Sequence, residues 1–308
     1  MKLHYFGGFL VLLVLCLPLI VALAHNSDET IDEKDIFKCE NVNYHIERKL
    51  GGGAYGVVSL VKKNNDLFVL KTTDKKSYET ELWAYELLKN SPYVAPIVQP
   101  CQSQNAFVTE YSKSESLYDR LKLIQSNTAL MDRDEQIRLL SKAILAFEDM
   151  YRAKIVHNDI KDRNVLWDGK DFNLIDFGLA ESWDNGKWND VAMHYPCNEY
   201  GGNKDWIALG VMMYQVHAWN SIDAKKRSQL AIKRAYLLPY TVNFEIRKHE
   251  NLCSNGQLDE IQKPSYMDQD FFDVLKLLLQ KKQSLRPGYN DESIEKLKRM
   301  PLFKNYLY

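Results

Sequence analysis

The chain carries almost no net charge. Its 40 Lys and Arg residues face 41 Asp and Glu, which leaves a formal charge of −1. A near-neutral chain lacks the basic excess that holds a protein on nucleic acid or another broadly anionic partner, so neither is expected here. No internal repeat and no extended low-complexity tract runs through the 308 residues, a length that suits one or two domains with a sizeable core. Past residue 24 no stretch is long and apolar enough to cross a bilayer. No Asn-x-Ser/Thr sequon occurs, so N-glycosylation offers no clue to compartment. Cysteine is scarce, with 5 in all.

What is present begins at the N-terminus. Lys2 and His4 precede an apolar run over 5–24 that only Gly7, Gly8 and Pro18 interrupt. It ends in Ala22-Leu23-Ala24, a small-x-small pattern. The reading is a secretory signal peptide over 1–24. An uncleaved signal anchor is the alternative, because the run approaches the roughly 20 residues that span a membrane. Pro18 and the Ala-x-Ala end fit removal better. Residues 25–42 are read as an acidic, flexible lead-in, poor in apolar side chains.

The chemistry-bearing stretch is 155–180, which reads IVHNDIKDRNVLWDGKDFNLIDFGLA. Two apolar pairs, Ile155-Val156 and Val165-Leu166, flank a polar loop with His157, Asp159, Lys161 and Asn164. A further apolar run over 172–175 leads into Asp176-Phe177-Gly178. Short strands in a hairpin-like arrangement are expected, with the polar groups on loops beside them. An Asx-rich loop that merely caps its own turns is the plainer reading of any single residue.

Upstream, a strand over 43–50 runs into a glycine-rich turn, with G-x-G-x-x-G at Gly51, Gly53 and Gly56. The same string opens dinucleotide-binding folds, where a helix follows it. Here 57–61, including Val58, continues β-rich, which favours a hairpin lid over phosphates or an ordinary glycine hairpin. A strand over 67–71 ends in Lys71, and a helix over 77–89 shows Leu82, Tyr85 and Leu88 on one face. Strands are expected over 92–98 and 106–111, then helices over 116–124 and 134–152 with Ile137, Leu140, Ile144 and Phe147 at core spacing.

Taken together and in order, these landmarks resemble the protein kinase family. Its H-R-D-L-x-x-x-N and D-F-G stand here as H-N-D-I-K-D-R-N and D-F-G. The resemblance covers about 43–300 and implies an α+β, two-lobed kinase-like fold. A small antiparallel N-lobe sheet plus one helix would span 43–111, and a mainly α-helical C-lobe 112–308. It implies ATP as phosphoryl donor, with Mg2+ or Mn2+. Gly51, Gly53, Gly56, Val58 and Lys71 would surround the nucleotide, and the backbone at Glu110 and Tyr111 would meet adenine, with Thr109 as a small gatekeeper. Asp159 would orient the acceptor hydroxyl and take its proton, Lys161 would steady the transferred group, and Asn164 and Asp176 would hold the metal. Glu81 is the expected partner of Lys71, with Glu79 and Glu86 as alternatives.

The departures are informative. Asn158 replaces the arginine that in many protein kinases grips a phosphate on the activation segment, and Asn carries no charge. The A-P-E string is absent over 179–204, so the pairing of Arg286 with an acid falls to Glu199. Asp205-Trp206 resembles the start of a buried helix whose Asp braces the catalytic loop. The resemblance implies a Ser/Thr protein substrate, and the signal implies a secretory-pathway or extracellular location without a stable membrane span once cleaved. A choline-kinase-like small-molecule phosphotransferase and a catalytically silent binding module are the rival readings. Removal of 1–24 leaves Cys39, Cys101, Cys197 and Cys253. Disulfides Cys39–Cys101 in the N-lobe and Cys197–Cys253 in the C-lobe are expected, with four buried free thiols as the alternative.

Overall fold

In a computed structural model, the described residues are 36–53, 56–126, 130–183, 204–221, 263, 265, 267–280 and 282–307. The signal, most of the lead-in, the 184–203 segment and the Cys197–Cys253 pairing lie outside them. The chain first builds a sheet from β1 (Ile36–Cys39), β2 (Val42–Gly53), β3 (Gly56–Lys63) and β4 (Asp66–Thr72). Helix α1 (Lys75–Leu87) follows, then β5 (Ile97–Cys101) and β6 (Ala106–Glu110). The six strands are antiparallel in the order β1-β2-β3-β4-β6-β5.

Two expectations shift. Residues 36–42, read as flexible lead-in, instead form β1 and its turn, because Phe37 and Cys39 pack inward. The strand expected over 92–98 starts at Ile97, since Pro92 and Pro96 lack the amide that a ladder needs. Pro100 is tolerated within β5 because that strand is an edge.

The two edge strands meet. Cys39 of β1 and Cys101 of β5 form a disulfide, as the sequence led us to expect, with Cα atoms 5.1 Å apart. Both sulfur-bearing residues are fully buried, in a small core with Tyr44, Val61, Leu70 and Val108. Gln104 Nε2 donates to the Lys38 carbonyl at 2.9 Å and the Tyr44 hydroxyl to Gln99 at 2.9 Å, so polar contacts repeat the closure. The sheet is curled and its open edges are covered rather than left to pair with another chain.

Helix α1 is started by Asp74, whose side chain accepts from the Ser77 amide at 3.0 Å. Beyond Glu110 the chain leaves the sheet and enters the second lobe. Strand β7 (Glu115–Ser116) and helices α2 (Leu117–Gln125) and α3 (Arg133–Arg152) come first. Ile137, Leu140, Ile144 and Phe147 on α3 are all buried, as their spacing demands. Then follow β8 (Ile155–Val156), β9 (Val165–Trp167), β10 (Phe172–Leu174) and β11 (Glu181–Ser182). The hairpin is β9–β10, while β8 pairs with β11. Helices α4 (Asp205–Ser221), α5 (Gln269–Leu278) and α6 (Asp291–Lys298) complete the described lobe. No helix among the described residues is long and apolar enough to cross a membrane.

The disulfide closes a separation of 62 residues, which chain entropy values at about 4 kcal/mol. The double variant Cys39→Ser/Cys101→Ser is therefore expected to unfold in urea at a clearly lower midpoint than the oxidised protein. Reduction of the wild type should lower its midpoint similarly. Equal midpoints in all three states would show that the covalent closure adds nothing to the packed core.

Candidate active site

Adjacent antiparallel strands place directly paired residues on one face. Lys71 on β4 opposes Val58 on β3 and Phe107 on β6, and Val58 in turn opposes Gly51 on β2. Gly51, Val58, Lys71 and Phe107 thus share one sheet face, while neighbouring Leu70 enters the small core on the other. Gly56 has φ +122°, and a Cβ there would meet the Thr72 carbonyl oxygen at 2.0 Å. Only glycine fits. At Gly51 a Cβ would meet nothing within 4 Å, so packing does not demand glycine there, whereas close approach of a phosphate would.

Lys71 Nζ sits 2.6 Å from Glu81 Oε1 on α1 and 2.7 Å from Asp176 Oδ1 in the loop after β10. Glu81 is therefore the partner. Glu79 and Glu86 are exposed and pair with Lys75 on the same helix and with Lys89 just past its end. The Glu81 carboxylate is fully buried, and burial pushes its pKa up to about 7 despite Lys71. For Lys71 burial works downward, but the two carboxylates outweigh it and hold the ammonium charged. Asp176 is likewise penalised by burial, yet Lys71 keeps its pKa below the ordinary carboxylate value.

The polar loop between β8 and β9 is held from below. The buried Asp205 carboxylate accepts from the His157 amide at 2.7 Å and the Asn158 amide at 3.0 Å. Asp205 braces the loop as its resemblance implied, and burial raises its pKa. His157 Nδ1 accepts from the Asp159 amide at 3.2 Å, so its Nε2–H donates to the Ile175 carbonyl at 3.1 Å. These partners place the ring hydrogen on Nε2.

Asp159, Lys161 and Asn164 are brought together. Lys161 Nζ lies 2.6 Å from Asp159 Oδ2, and Asn164 Nδ2 donates to the same oxygen at 3.0 Å and to the Asp159 carbonyl at 2.8 Å. Such an arrangement orients a carboxylate toward an incoming hydroxyl. The Asn164 amide nitrogen is committed to Asp159, which leaves its carbonyl oxygen for a cation. Asp176 spends Oδ1 on Lys71 and keeps its side chain 29 % exposed. One carboxylate and one amide oxygen suit Mg2+, which takes few protein ligands and completes its shell with phosphates and water. The donor set thus fits the metal that the resemblance implies, which when bound would supply positive charge against the phosphate oxygens of a nucleotide. Glu110 ends β6 and Tyr111 opens the link between the lobes; alternation along β6 puts Thr109 on the face of Lys71 and Phe107, and the Glu110 side chain, opposite Phe68, on the other.

Two features escaped sequence reasoning. Asn158 adopts φ 64° and donates from Nδ2 to the Leu179 carbonyl at 3.1 Å. Asn tolerates the left-handed region, so this residue ties the loop to the segment after Asp176. An Asn beside Asp was the available signal. The second feature is an aromatic column. Phe107, Tyr85, Phe177 and His157 stack with successive centroids 5.6, 5.3 and 4.7 Å apart. Tyr85 lies four residues after Glu81 and so shares its side of α1. Sequence periodicity placed Tyr85 only in a generic core.

A family model described as "Protein kinase domain" matches residues 44–303. A putative ribosomal protein S6 kinase alpha-2 of Caenorhabditis elegans is 24 % identical over 279 residues, covering 80 % of this chain and 33 % of that protein. A cGMP-dependent protein kinase of Plasmodium berghei (strain Anka) is 29 % identical, with 63 % and 24 % covered. The serine/threonine-protein kinase SIK1 of Rattus norvegicus is 27 % identical, with 56 % and 24 % covered. The chain thus spans a third or less of the length of these relatives.

The Glu81 pKa of about 7 has two opposed consequences. Its folded value is raised above the ordinary 4.5, so burying the ionised form costs stability as pH rises between those values. Over the same range the Lys71–Glu81 pair becomes fully charged. Activity is expected to rise through an apparent pKa near 7 while stability falls, and Glu81→Gln should abolish that limb. A pH–rate profile unchanged in Glu81→Gln would show that another group sets it.

Proposed function

The chain belongs to the protein kinase domain family, and we propose that it transfers the γ-phosphate of ATP to Ser or Thr hydroxyls of protein substrates. The supporting observation is the joint placement of Lys71, Glu81 and Asp176 around one buried charge, beside Asp159, Lys161 and Asn164. In this reading Gly51, Gly53, Gly56 and Val58 cover the nucleotide, Lys71 meets its phosphates, and Glu110 and Tyr111 receive the adenine on their backbone. Asn164 and Asp176 take Mg2+ or Mn2+. Asp159 accepts the hydroxyl proton as the oxygen attacks phosphorus, and ADP leaves. The similarity to serine/threonine-protein kinase SIK1 supports Ser/Thr acceptors, as does Lys161 at its position in the loop.

We further assign the protein to the secretory pathway or the extracellular space. The apolar run over 5–24 and the buried Cys39–Cys101 bridge support this, because disulfides persist in oxidising compartments. N-terminal sequencing of protein from its native compartment is expected to start at or near His25. A start at Met1 would point to a retained anchor or to no export.

The catalytic reading is tested with labelled ATP, Mg2+, a mixed protein extract and, in parallel, small alcohols and sugars. Label is expected on Ser and Thr of proteins. Label confined to the small alcohols would replace this reading with a small-molecule phosphotransferase. Asp176→Asn should abolish metal-dependent transfer with the fold intact. Asp159→Asn should lower turnover by about 10²–10⁴-fold while ATP binding changes little. Full activity in Asp176→Asn would remove the assigned metal site.

A further inference from the structure

Arg163 lies one position before Asn164, in the turn that carries the acceptor-facing groups. Asn164 is buried, whereas Arg163 is exposed. Its guanidinium lies over the Tyr118 ring of α2, with Cζ 3.6 Å from the centroid, and Lys122 Nζ sits over a ring face 4.2 Å away. Two neighbouring cations are held in internal pairs. Arg120 bonds Glu135 at 3.3 Å and Lys161 bonds Asp159. Asp119, the carboxylate on this turn of α2, is held by the Ser116 hydroxyl at 2.7 Å and by Lys122 at 3.2 Å. Arg163 itself makes no ion pair within 4 Å among the described residues, although its charge, behind Ser116 and Lys122, helps hold the Asp119 carboxyl below its ordinary pKa.

A guanidinium stacked on a ring is pre-oriented and weakly hydrated, and its in-plane N–H donors match a carboxylate or phosphate. The backbone beneath it is tied to the acceptor site, because Asn164 Nδ2 donates to Asp159 Oδ2. We propose that Arg163, steadied by Tyr118 and assisted by Lys122, selects protein substrates carrying an anionic side chain close to the phosphorylated hydroxyl. The site deepens the protein-kinase reading above and rests on it. Attraction of an acid and repulsion of a base act together there, so selectivity has both a favourable and an unfavourable arm.

The test gives the full chain, with ATP and Mg2+, peptides with a fixed Ser or Thr acceptor. Asp, Glu, phosphoserine, Ala or Arg is placed at each position within four residues. An anionic residue at one or more positions is expected to raise kcat/KM about five- to tenfold over Ala, mainly through KM, and Arg to lower it. Arg163→Glu should remove or invert the preference and Arg163→Lys should keep part of it, with the KM for ATP within about twofold in both. If Arg163→Glu fails to fold, Lys122→Glu on the exposed face of α2 should weaken the preference in the same direction. Phosphorylated peptides with no anionic preference, or a preference untouched by these reversals, overturn this proposal alone. Failure to phosphorylate any peptide, with small alcohols labelled instead, overturns the protein-kinase reading and this proposal with it.

Discussion

The structure depends on one shared charge. The Lys71 ammonium is divided between Glu81 and Asp176, which come from a helix 10 residues away and a loop 105 residues away in the chain. An ammonium between two carboxylates in a largely buried place offsets the charge of each, so removing Lys71 would leave two like charges facing each other out of water, whereas either carboxylate alone still pairs with it. The unequal environment sets their protonation. Asp176, partly exposed, stays ionised, while wholly buried Glu81 is pushed up to about 7. The sheet, α1 and the loop must therefore dock together before the site has its charge.

That docking has an apolar counterpart. The column of Phe107, Tyr85, Phe177 and His157 runs from β6 through α1 to both loops. Edge-to-face aromatic pairs contribute about 0.5–1.5 kcal/mol each beyond their burial. The column places Phe177 next to Asp176 and His157 two residues from Asp159. Asp205 then fixes the loop from beneath through two amides. Left-handed backbone at Asn158 and Asp176, costly for residues other than glycine, is held by these contacts.

The N-lobe is closed by a different device. The family match begins at residue 44, so β1 and Cys39 stand outside it, yet they are part of the curled sheet. The small core around Tyr44 and Val108 is separate from the large core of α3, α4 and α5. A core of that size gains much from a covalent tie between its two open edges. The face that carries Lys71 lies on the opposite side of the same strands, because alternate residues such as Leu70 and Lys71 point apart.

Local chemistry was legible residue by residue. The glycines of the turn, Lys71 at a strand end, Asp159 and Asn164 five apart, and Asp176 before Phe-Gly stood out as patterns, and the structure brings Lys71 against Asp176 and Asn164 against Asp159. Periodicity sufficed for α3, whose apolar stripe is buried as expected. What the sequence could not decide needed partners distant in the chain. Three glutamates on α1 were open to Lys71, and only the rotation of the helix against the sheet chose Glu81. Residues 36–42 read as lead-in because their few apolar groups count for little until Cys39 meets Cys101 across the curled sheet. Pro96 moved a strand start by several residues, and Asn158 gained its role from a carbonyl 21 residues away. Sequence by itself determined which groups were available and how they repeat along the chain. The tertiary structure alone decided which of them share one desolvated space, because burial and charge pairing depend on distance through space and not along the backbone.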